Sequence, residues 1–314
     1  MDRISIIIPC YNEEKTIHSL ASEIKKTFTR SKIKLELLFI NDGSKDNTDY
    51  EIKKLINENK TFDIVYINLS RNFGKEAAMY AGLEQSTGNY ITIIDGDLQQ
   101  HPKEIKRMYN IMKKDNTLDC VATFQKKRKE SFIKRILSKG FYKIANKLVN
   151  IDFADNSSDF RLFNINVKNS LLSFKEHNRF TKGIFSWIGF NVKYIEYEPL
   201  ERKYGKSKWR LKSLIKYAFD GILSYSDKIL MLPIKIGFVA FFSTIILFII
   251  SLIININLLY SLLLFIVSII FIFLGIISVY IYRIYTEILN RPIYIAREII
   301  KKEKVGNKHE KNTK

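Results

Sequence analysis

Four short apolar runs, each cut off by polar residues and then followed by a helix-like stretch, leave this chain few folds to adopt. Ile4 to Ile8 lead into Cys10-Tyr11-Asn12-Glu13-Glu14 and a helix-like segment reaching about Phe28. Leu35 to Ile40 lead into Asn41-Asp42-Gly43-Ser44, after which Asp46 or Asn47 can cap a helix carrying Ile52, Leu55 and Ile56. Ile64 to Leu69 lead through Ser70-Arg71-Asn72-Phe73-Gly74-Lys75 into a helix from Glu76 to Gln85. Tyr90 to Ile94 lead into Asp95-Gly96-Asp97-Leu98-Gln99, and Pro102 opens the next helical pattern. Runs this apolar suit strands buried on both faces. Their alternation with helices predicts a doubly wound, mostly parallel α/β sheet, with the polar loops gathered at the strands' carboxyl ends, where such sheets bind ligands.

The fourth loop carries the most specific chemistry. Asp95 and Asp97, one residue apart at a bend where Gly96 adds no bulk, can converge on one hard cation, Mg²⁺ or Mn²⁺, and Gln99 can add a neutral oxygen. Such a cation bridges a diphosphate. A bare Asp-x-Asp is more often a solvated turn, but this one ends a central strand and joins three other polar loops. Tyr11 and Asn12 can frame a planar base, and Asp42 can accept a hydrogen bond from a ribose hydroxyl or a base imide. Arg71 and Lys75 bring positive charge. No Gly-x-Gly-x-x-Gly follows the first strand and there is no Walker A sequence, so a dinucleotide dehydrogenase or P-loop ATPase lacks its phosphate cradle.

The net charge of +19 and the apolar fraction of 46% over 314 residues mislead as averages, because both are concentrated in segments. Phe124 to Asn150 holds nine Lys or Arg against Glu130, with Ile133, Ile136, Leu137, Phe141, Ile144 and Leu148 at helical spacing. This reads as one or two basic amphipathic helices facing an anionic surface. Nucleic acid is not the expected partner, since no recognised binding motif accompanies the charge; membrane phospholipid, or a lipid phosphate held there, fits better. Arg202 to Lys235 repeats the bias with nine Lys or Arg against Asp220 and Asp227, and Trp209 beside lysines suits a headgroup layer. Two cysteines, Cys10 and Cys120, form no disulfide or zinc pattern and fit a reducing compartment. The apolar run that Pro9 stops is too short for a signal peptide, so export of the N-terminal part is not expected.

Ile236 to Tyr282 contains no charged residue over 47 positions. As one helix it would reach roughly 70 Å, against a hydrocarbon core of about 30 Å. Two spans are expected, 236–254 and 258–282, hinged at Asn255-Ile256-Asn257. The hinge carries no Lys or Arg, whereas the preceding basic segment and the tail 283–314 are both positive, so both chain ends are expected in the cytoplasm.

Taken in order, Ser5-Ile6-Ile7-Ile8-Pro9-Cys10-Tyr11-Asn12-Glu13, Asn41-Asp42-Gly43-Ser44 and Asp95-Gly96-Asp97-Leu98-Gln99 resemble the signature of inverting family 2 glycosyltransferases with the GT-A fold. Within them the chain is most similar to the polyprenyl-phosphate glycosyltransferases, the bactoprenol glucosyltransferase and dolichol-phosphate mannose synthase group. The resemblance continues through Asp159-Phe160-Arg161-Leu162, Arg179-Phe180-Thr181-Lys182-Gly183 and Arg202-Lys203-Tyr204-Gly205-Lys206-Ser207-Lys208 to the apolar region.

It implies a GT-A domain over 1–200, a basic juxtamembrane segment over 201–235, the two spans, and a basic cytoplasmic tail over 283–314. It further implies that Pro9, Tyr11, Asn12, Glu13, Asp42, Arg71, Lys75, Asp95 and Gly96 hold a nucleotide sugar, and that Asp95, Asp97 and Gln99 hold the metal. Asp97 and Asp159 would be catalytic, Asp159 as a base or as an orienter of acceptor or sugar. Arg202 and Lys208 would meet phosphates on the strength of their motif, with Arg161 and Arg128 beside them and Arg135 added on charge alone. The expected reaction moves a hexose from a UDP-hexose, UDP-glucose ahead of UDP-N-acetylglucosamine or GDP-mannose, to a polyprenyl phosphate, undecaprenyl phosphate first, for cell-envelope glycosylation. A homo-oligomer is expected. A processive polysaccharide synthase would carry Gln-x-x-Arg-Trp and more spans, and a membrane adaptor with a degenerate cleft would not need Asp42, Asp95 and Asp97 intact.

Overall fold

The computed structural model describes residues 1–125, 157–176, 179–200 and 259–303, with the isolated positions 242 and 246. Their elements run β1 (Arg3–Cys10), α1 (Ile17–Phe28), β2 (Lys34–Asn41), α2 (Thr48–Glu58), β3 (Asp63–Leu69), α3 (Lys75–Gln85), β4 (Tyr90–Ile93), α4 (Pro102–Lys114) and β5 (Cys120–Gln125). After the gap come β6 (Ser157–Asn164), α5 (Ile165–Ser173), α6 (Thr181–Trp187), β7 (Val192–Tyr197), α7 (Leu259–Ile288) and β8 (Ala296–Lys302). The chain forms two compact units: α7 belongs to one, and every other named element to the other.

The larger unit is built on an eight-stranded sheet of order β7-β5-β6-β4-β1-β2-β3-β8. Strands β3, β2, β1 and β4 are mutually parallel neighbours, as the four apolar runs predict. Both faces of these strands are buried. Ile4, Ile6, Ile8, Leu37 and Phe39 share a core with Ile17, Leu20 and Ile24 of α1, Ile52 and Ile56 of α2, and Ile105 and Met108 of α4. Ile7 and Ile40 face α3 instead, so closely that a Cβ on Gly82 would lie 2.4 Å from Ile7 Cγ2. Each fully buried Ile or Leu contributes about 1.5–3 kcal/mol.

The rest of the sheet is mixed, where the sequence predicts mostly parallel strands. β6 enters antiparallel between β4 and β5, and β8 pairs antiparallel with β3. β8 lies inside the stretch read from sequence as a basic tail. Its exposure alternates along its length, and two of its charges are used locally: Glu298 pairs with Lys53 at 2.8 Å, and Lys302 Nζ donates to the Asn57 carbonyl at 3.2 Å. Charged side chains of this kind suit an edge strand and conceal it from an apolar-pattern reading.

The smaller unit's described element is α7, a continuous 30-residue helix. Leu263, Ile270, Leu274, Ile277, Ile281, Ile284 and Ile288 are exposed along it. Counting only described side chains, no helix is long and apolar enough to cross a membrane. The span expected at 258–282 coincides with most of α7, some of whose side chains are outside the described set. The span expected at 236–254, the basic segments 126–150 and 201–235, and the tail beyond residue 303 lie outside the described residues, apart from positions 242 and 246.

Candidate active site

β4 gives way to a turn held in shape at several points. Gln100, which is buried, clamps Asp95 from both ends: its Oε1 accepts from the Asp95 N–H at 3.0 Å and its Nε2 donates to Asp95 Oδ2 at 3.3 Å. Asp97 Oδ1 accepts from the Gln99 N–H at 3.1 Å. Leu98 stands at φ +63°, an unusual place for a bulky residue, and is held there by burial of its side chain in the core. The Gln99 carbonyl receives the Leu200 N–H at 2.9 Å, and His101 Nδ1 caps α4 by accepting from the Lys103 N–H at 3.0 Å. A Cβ on Gly96 would lie 3.4 Å from Glu13 Cγ and 3.6 Å from the Pro9 carbonyl oxygen, so the loop after β1 borders this turn.

The other loops are tied to one another. Asn12, at φ +54°, takes the Lys45 N–H on its side-chain oxygen at 2.8 Å and gives its own N–H to Ser44 Oγ at 2.9 Å. The Glu13 N–H donates to Thr48 Oγ1 at 2.8 Å. Tyr11 is half-buried in the same loop. Gly43, at φ +63°, lets the loop after β2 touch that after β3, since a Cβ there would be 2.5 Å from the backbone of Arg71 and Asn72. Asp42 is 4% exposed. Its carboxylate accepts from the N–H groups of Phe73 at 2.7 Å and Gly74 at 3.0 Å. Burial pushes its pKa up to about 6, with those N–H groups and Arg71 pulling the other way. Arg71 is exposed, its guanidinium 4.3 Å from the Phe73 ring centroid.

Lys75, the first residue of α3, joins two of the predicted carboxylates. Its Nζ lies 2.6 Å from Asp95 Oδ1 and 3.4 Å from Asp159 Oδ2 on β6. Burial works against the ammonium, yet Asp95 and Asp159 raise its pKa above the ordinary lysine value. Asp159 has 24% of its side chain exposed. Burial alone would raise its pKa, but Lys182, Lys75 and Arg161 overcome that and hold it at about 2. Asp159 is thus a carboxylate throughout the neutral range. Arg161 is only 4% exposed, with its guanidinium 4.0 Å from the Phe185 ring centroid. It bears on Asp159 from within the fold.

A divalent cation suits these residues. Asp95 and Asp97 offer hard oxygens from one braced turn, and among the described residues no third Asp, Glu, His or Cys joins them as a ready cluster. A Mg²⁺-type ion is commonly held in this way, by one or two carboxylates with the substrate's phosphates completing its shell. Of the two glutamines in the turn, it is Gln100 whose side chain engages Asp95, while Gln99 contributes its backbone. Sequence reasoning missed Gln100, Glu76 and a role for Lys182, although Lys182 stands in a quoted motif. Arg128, Arg135, Arg202 and Lys208 lie outside the described residues.

Comparison with known proteins identifies the family. The model of Glycosyl transferase family 2 matches residues 5–171, just over half the chain. The putative glycosyltransferase CsbB of Bacillus subtilis (strain 168) is 39% identical over 305 residues, covering 94% of this chain and 91% of that protein. The SfII prophage-derived bactoprenol glucosyl transferase of Shigella flexneri is 35% identical over 315 residues, covering 97% and 99%. Among solved structures, glucosyl-3-phosphoglycerate synthase of Mycobacterium tuberculosis in complex with Mn²⁺ and UDP-glucose gives a TM-score of 0.47 at 15% identity, over 69% of this chain and 76% of that one. The chain is a glycosyltransferase with the GT-A fold, and it belongs to glycosyl transferase family 2.

Proposed function

We propose that this enzyme transfers a hexose, glucose from UDP-glucose first among candidates, to a polyprenyl phosphate at the cytoplasmic face of a membrane, inverting the anomeric centre. The observation that carries this reading is similarity along nearly the whole chain, apolar segment included, to proteins named bactoprenol glucosyl transferase. An uncharged stretch of 47 residues in the same chain supports an acceptor that lives in hydrocarbon.

The chemistry follows from the site. Asp95 and Asp97 would hold Mg²⁺ or Mn²⁺, which when bound neutralises charge on the departing diphosphate. Asp42 and the loop of Tyr11 and Asn12 border the place for the nucleoside, and Lys75 brings a cation beside Asp95. An oxygen of the acceptor phosphate forms the new bond to the anomeric carbon, while the bond from that carbon to the donor diphosphate breaks and its electron pair leaves with the nucleoside diphosphate. The second pKa of a phosphate monoester is about 6, so near neutrality the nucleophile has already lost its proton. No protein base is required. Asp159, ionised and clamped by cations, fits the role of orienter.

Topology supports the membrane part. β8 belongs to the same compact unit as β3, with which it pairs, so the apolar stretch leaves and re-enters one body. Any crossing of a bilayer must then be matched by a return, as in two spans hinged at Asn255–Asn257. The test is a panel of UDP-glucose, UDP-N-acetylglucosamine and GDP-mannose offered to the purified full chain with undecaprenyl phosphate and Mg²⁺, with the lipid product identified by mass spectrometry. A hexosyl phospholipid from one donor supports the reading; sugar polymer, or no lipid product from any donor, overturns it.

A further inference from the structure

Lys75 is held in a way that bears on the metal itself. Its Nζ lies 2.6 Å from Asp95 Oδ1 and 3.4 Å from Asp159 Oδ2, so one ammonium spans the turn after β4 and the strand β6. The rest of Asp95 is engaged by Gln100, whose Nε2 donates to Oδ2 at 3.3 Å while its Oε1 accepts from the Asp95 N–H at 3.0 Å. That clamp fixes how the carboxylate points, with Oδ1 turned to Lys75. A divalent cation bound through Asp95 and Asp97 therefore comes within reach of an ammonium on the same carboxylate, and two cations that close repel each other.

The root of Lys75 is fixed, whereas its tip can move. It opens α3 directly after Phe73 and Gly74, whose N–H groups donate to the buried Asp42 carboxylate at 2.7 and 3.0 Å. On its other side Glu76 accepts from the Thr181 N–H at 3.3 Å. The Lys75 side chain is itself 30% exposed. Its unbranched stem can change rotamer with no change in the backbone, and Asp159 gives the ammonium a second carboxylate to hold. Leaving Asp95 with nothing in exchange still costs a charge-assisted hydrogen bond. A donor diphosphate beside Asp95 supplies that exchange.

We propose that Lys75 competes with the divalent cation for Asp95, and yields to it when the donor diphosphate gives the ammonium a new anion to pair with. Metal binding and nucleotide binding are then coupled through one side chain, with Asp159 keeping the released ammonium in the cleft. This rests on the transferase reading above and on the metal ligands Asp95 and Asp97. Metal binding is measurable without sugar transfer, so the two ideas fail separately.

The experiment follows free Mn²⁺ by electron paramagnetic resonance as it is titrated into the full chain in detergent, with and without UDP. The proteins are wild type, Lys75→Met, Lys75→Gln, Lys182→Met and Asp97→Asn. Both Lys75 variants should bind Mn²⁺ alone about tenfold more tightly than wild type, the scale of one charge-assisted hydrogen bond that no longer has to be broken. UDP should strengthen their Mn²⁺ binding about tenfold less than it does in wild type, and by linkage Mn²⁺ should strengthen UDP binding less by the same factor. Lys182→Met removes a cation that bears on Asp159, and it should stay within about twofold of wild type, because the contact to Asp95 is made by Lys75. Asp97→Asn should lose Mn²⁺ binding in both conditions. Lys75 variants that bind Mn²⁺ alone no more tightly than wild type would overturn the proposal. So would an equal gain in Lys182→Met, which would make the effect one of overall charge instead of a shared carboxylate. If the Lys75 variants behave as expected but wild type transfers no sugar, the transferase reading fails and the role of Lys75 toward the metal stands.

Discussion

Asp42 shows what one residue's surroundings demand. Its carboxyl is buried and its pKa stands at about 6 instead of 3.8, chiefly through burial. The folded chain therefore holds that proton more tightly than the unfolded chain does. The cost of ionising Asp42 appears as pH rises from about 4 and is complete above about 6, at roughly 3 kcal/mol. A carboxylate kept in place at such a cost is a candidate for function. Asp42→Asn should match or exceed the wild-type melting temperature at pH 7.5 while binding UDP-glucose more weakly. UDP-glucose has no group that titrates near pH 6, so wild-type affinity should fall as pH drops below about 6 and the variant's should not. A less stable variant with unchanged donor affinity would reduce Asp42 to a loop tie. Asp42, Asp95 and Asp97 were legible in the sequence because each ends an apolar run. Gln100 and Glu76 were not, because they act through contacts: Gln100 folds back on Asp95 within its own turn, and Glu76 reaches Thr181 across the fold.

At the scale of elements, the four parallel strands could be read because each is a near-continuous apolar run. β6 and β8 could not. Ser157–Asn164 mixes Ser, Asp and Arg with its apolar residues, and in Ala296–Lys302 only Ile300 packs against the core, among Arg297, Glu298, Lys301 and Lys302, while Ile299 is exposed. Only pairing with β4 and β3 reveals them as strands. This changes what a truncation means. Deleting 236–314 removes β8 and bares the β3 edge, whereas replacing 236–290 by a Gly/Ser linker keeps it. The linker variant should remain monodisperse and retain Mn²⁺-dependent nucleotide binding, and the full deletion should aggregate, as exposed sheet edges do. Size-exclusion chromatography with nucleotide titration checks both, and equal behaviour would show that β8 adds nothing to the sheet.

For the whole molecule, the question is why a sugar-nucleotide cleft is joined to so much apolar chain. A soluble cleft would have to draw a polyprenyl chain from the bilayer at about 0.8 kcal/mol per CH₂. In the proposed function, a cleft held at the membrane surface avoids that cost. If the apolar stretch enters a bilayer, as the proposed function has it, the pairing of β8 with β3 requires the chain to come back to the side it left. With Cys10 and Cys120 both buried, a single added thiol at Asn257→Cys should react with a membrane-impermeant maleimide on intact cells; reaction only after lysis would contradict the two-span hairpin.

The central claim, metal-dependent transfer of a hexose to a lipid phosphate through Asp95 and Asp97, is tested most directly by one assay. Radiolabelled UDP-glucose is given to the full chain in nanodiscs containing undecaprenyl phosphate, with Mn²⁺ or with EDTA, alongside Asp97→Asn. The account predicts labelled lipid with Mn²⁺, none with EDTA, and at least about a hundredfold less in Asp97→Asn, because a metal supplies several kcal/mol of charge stabilisation. Labelled lipid formed equally well in EDTA, or by an Asp97→Asn variant near the wild-type rate, would contradict it.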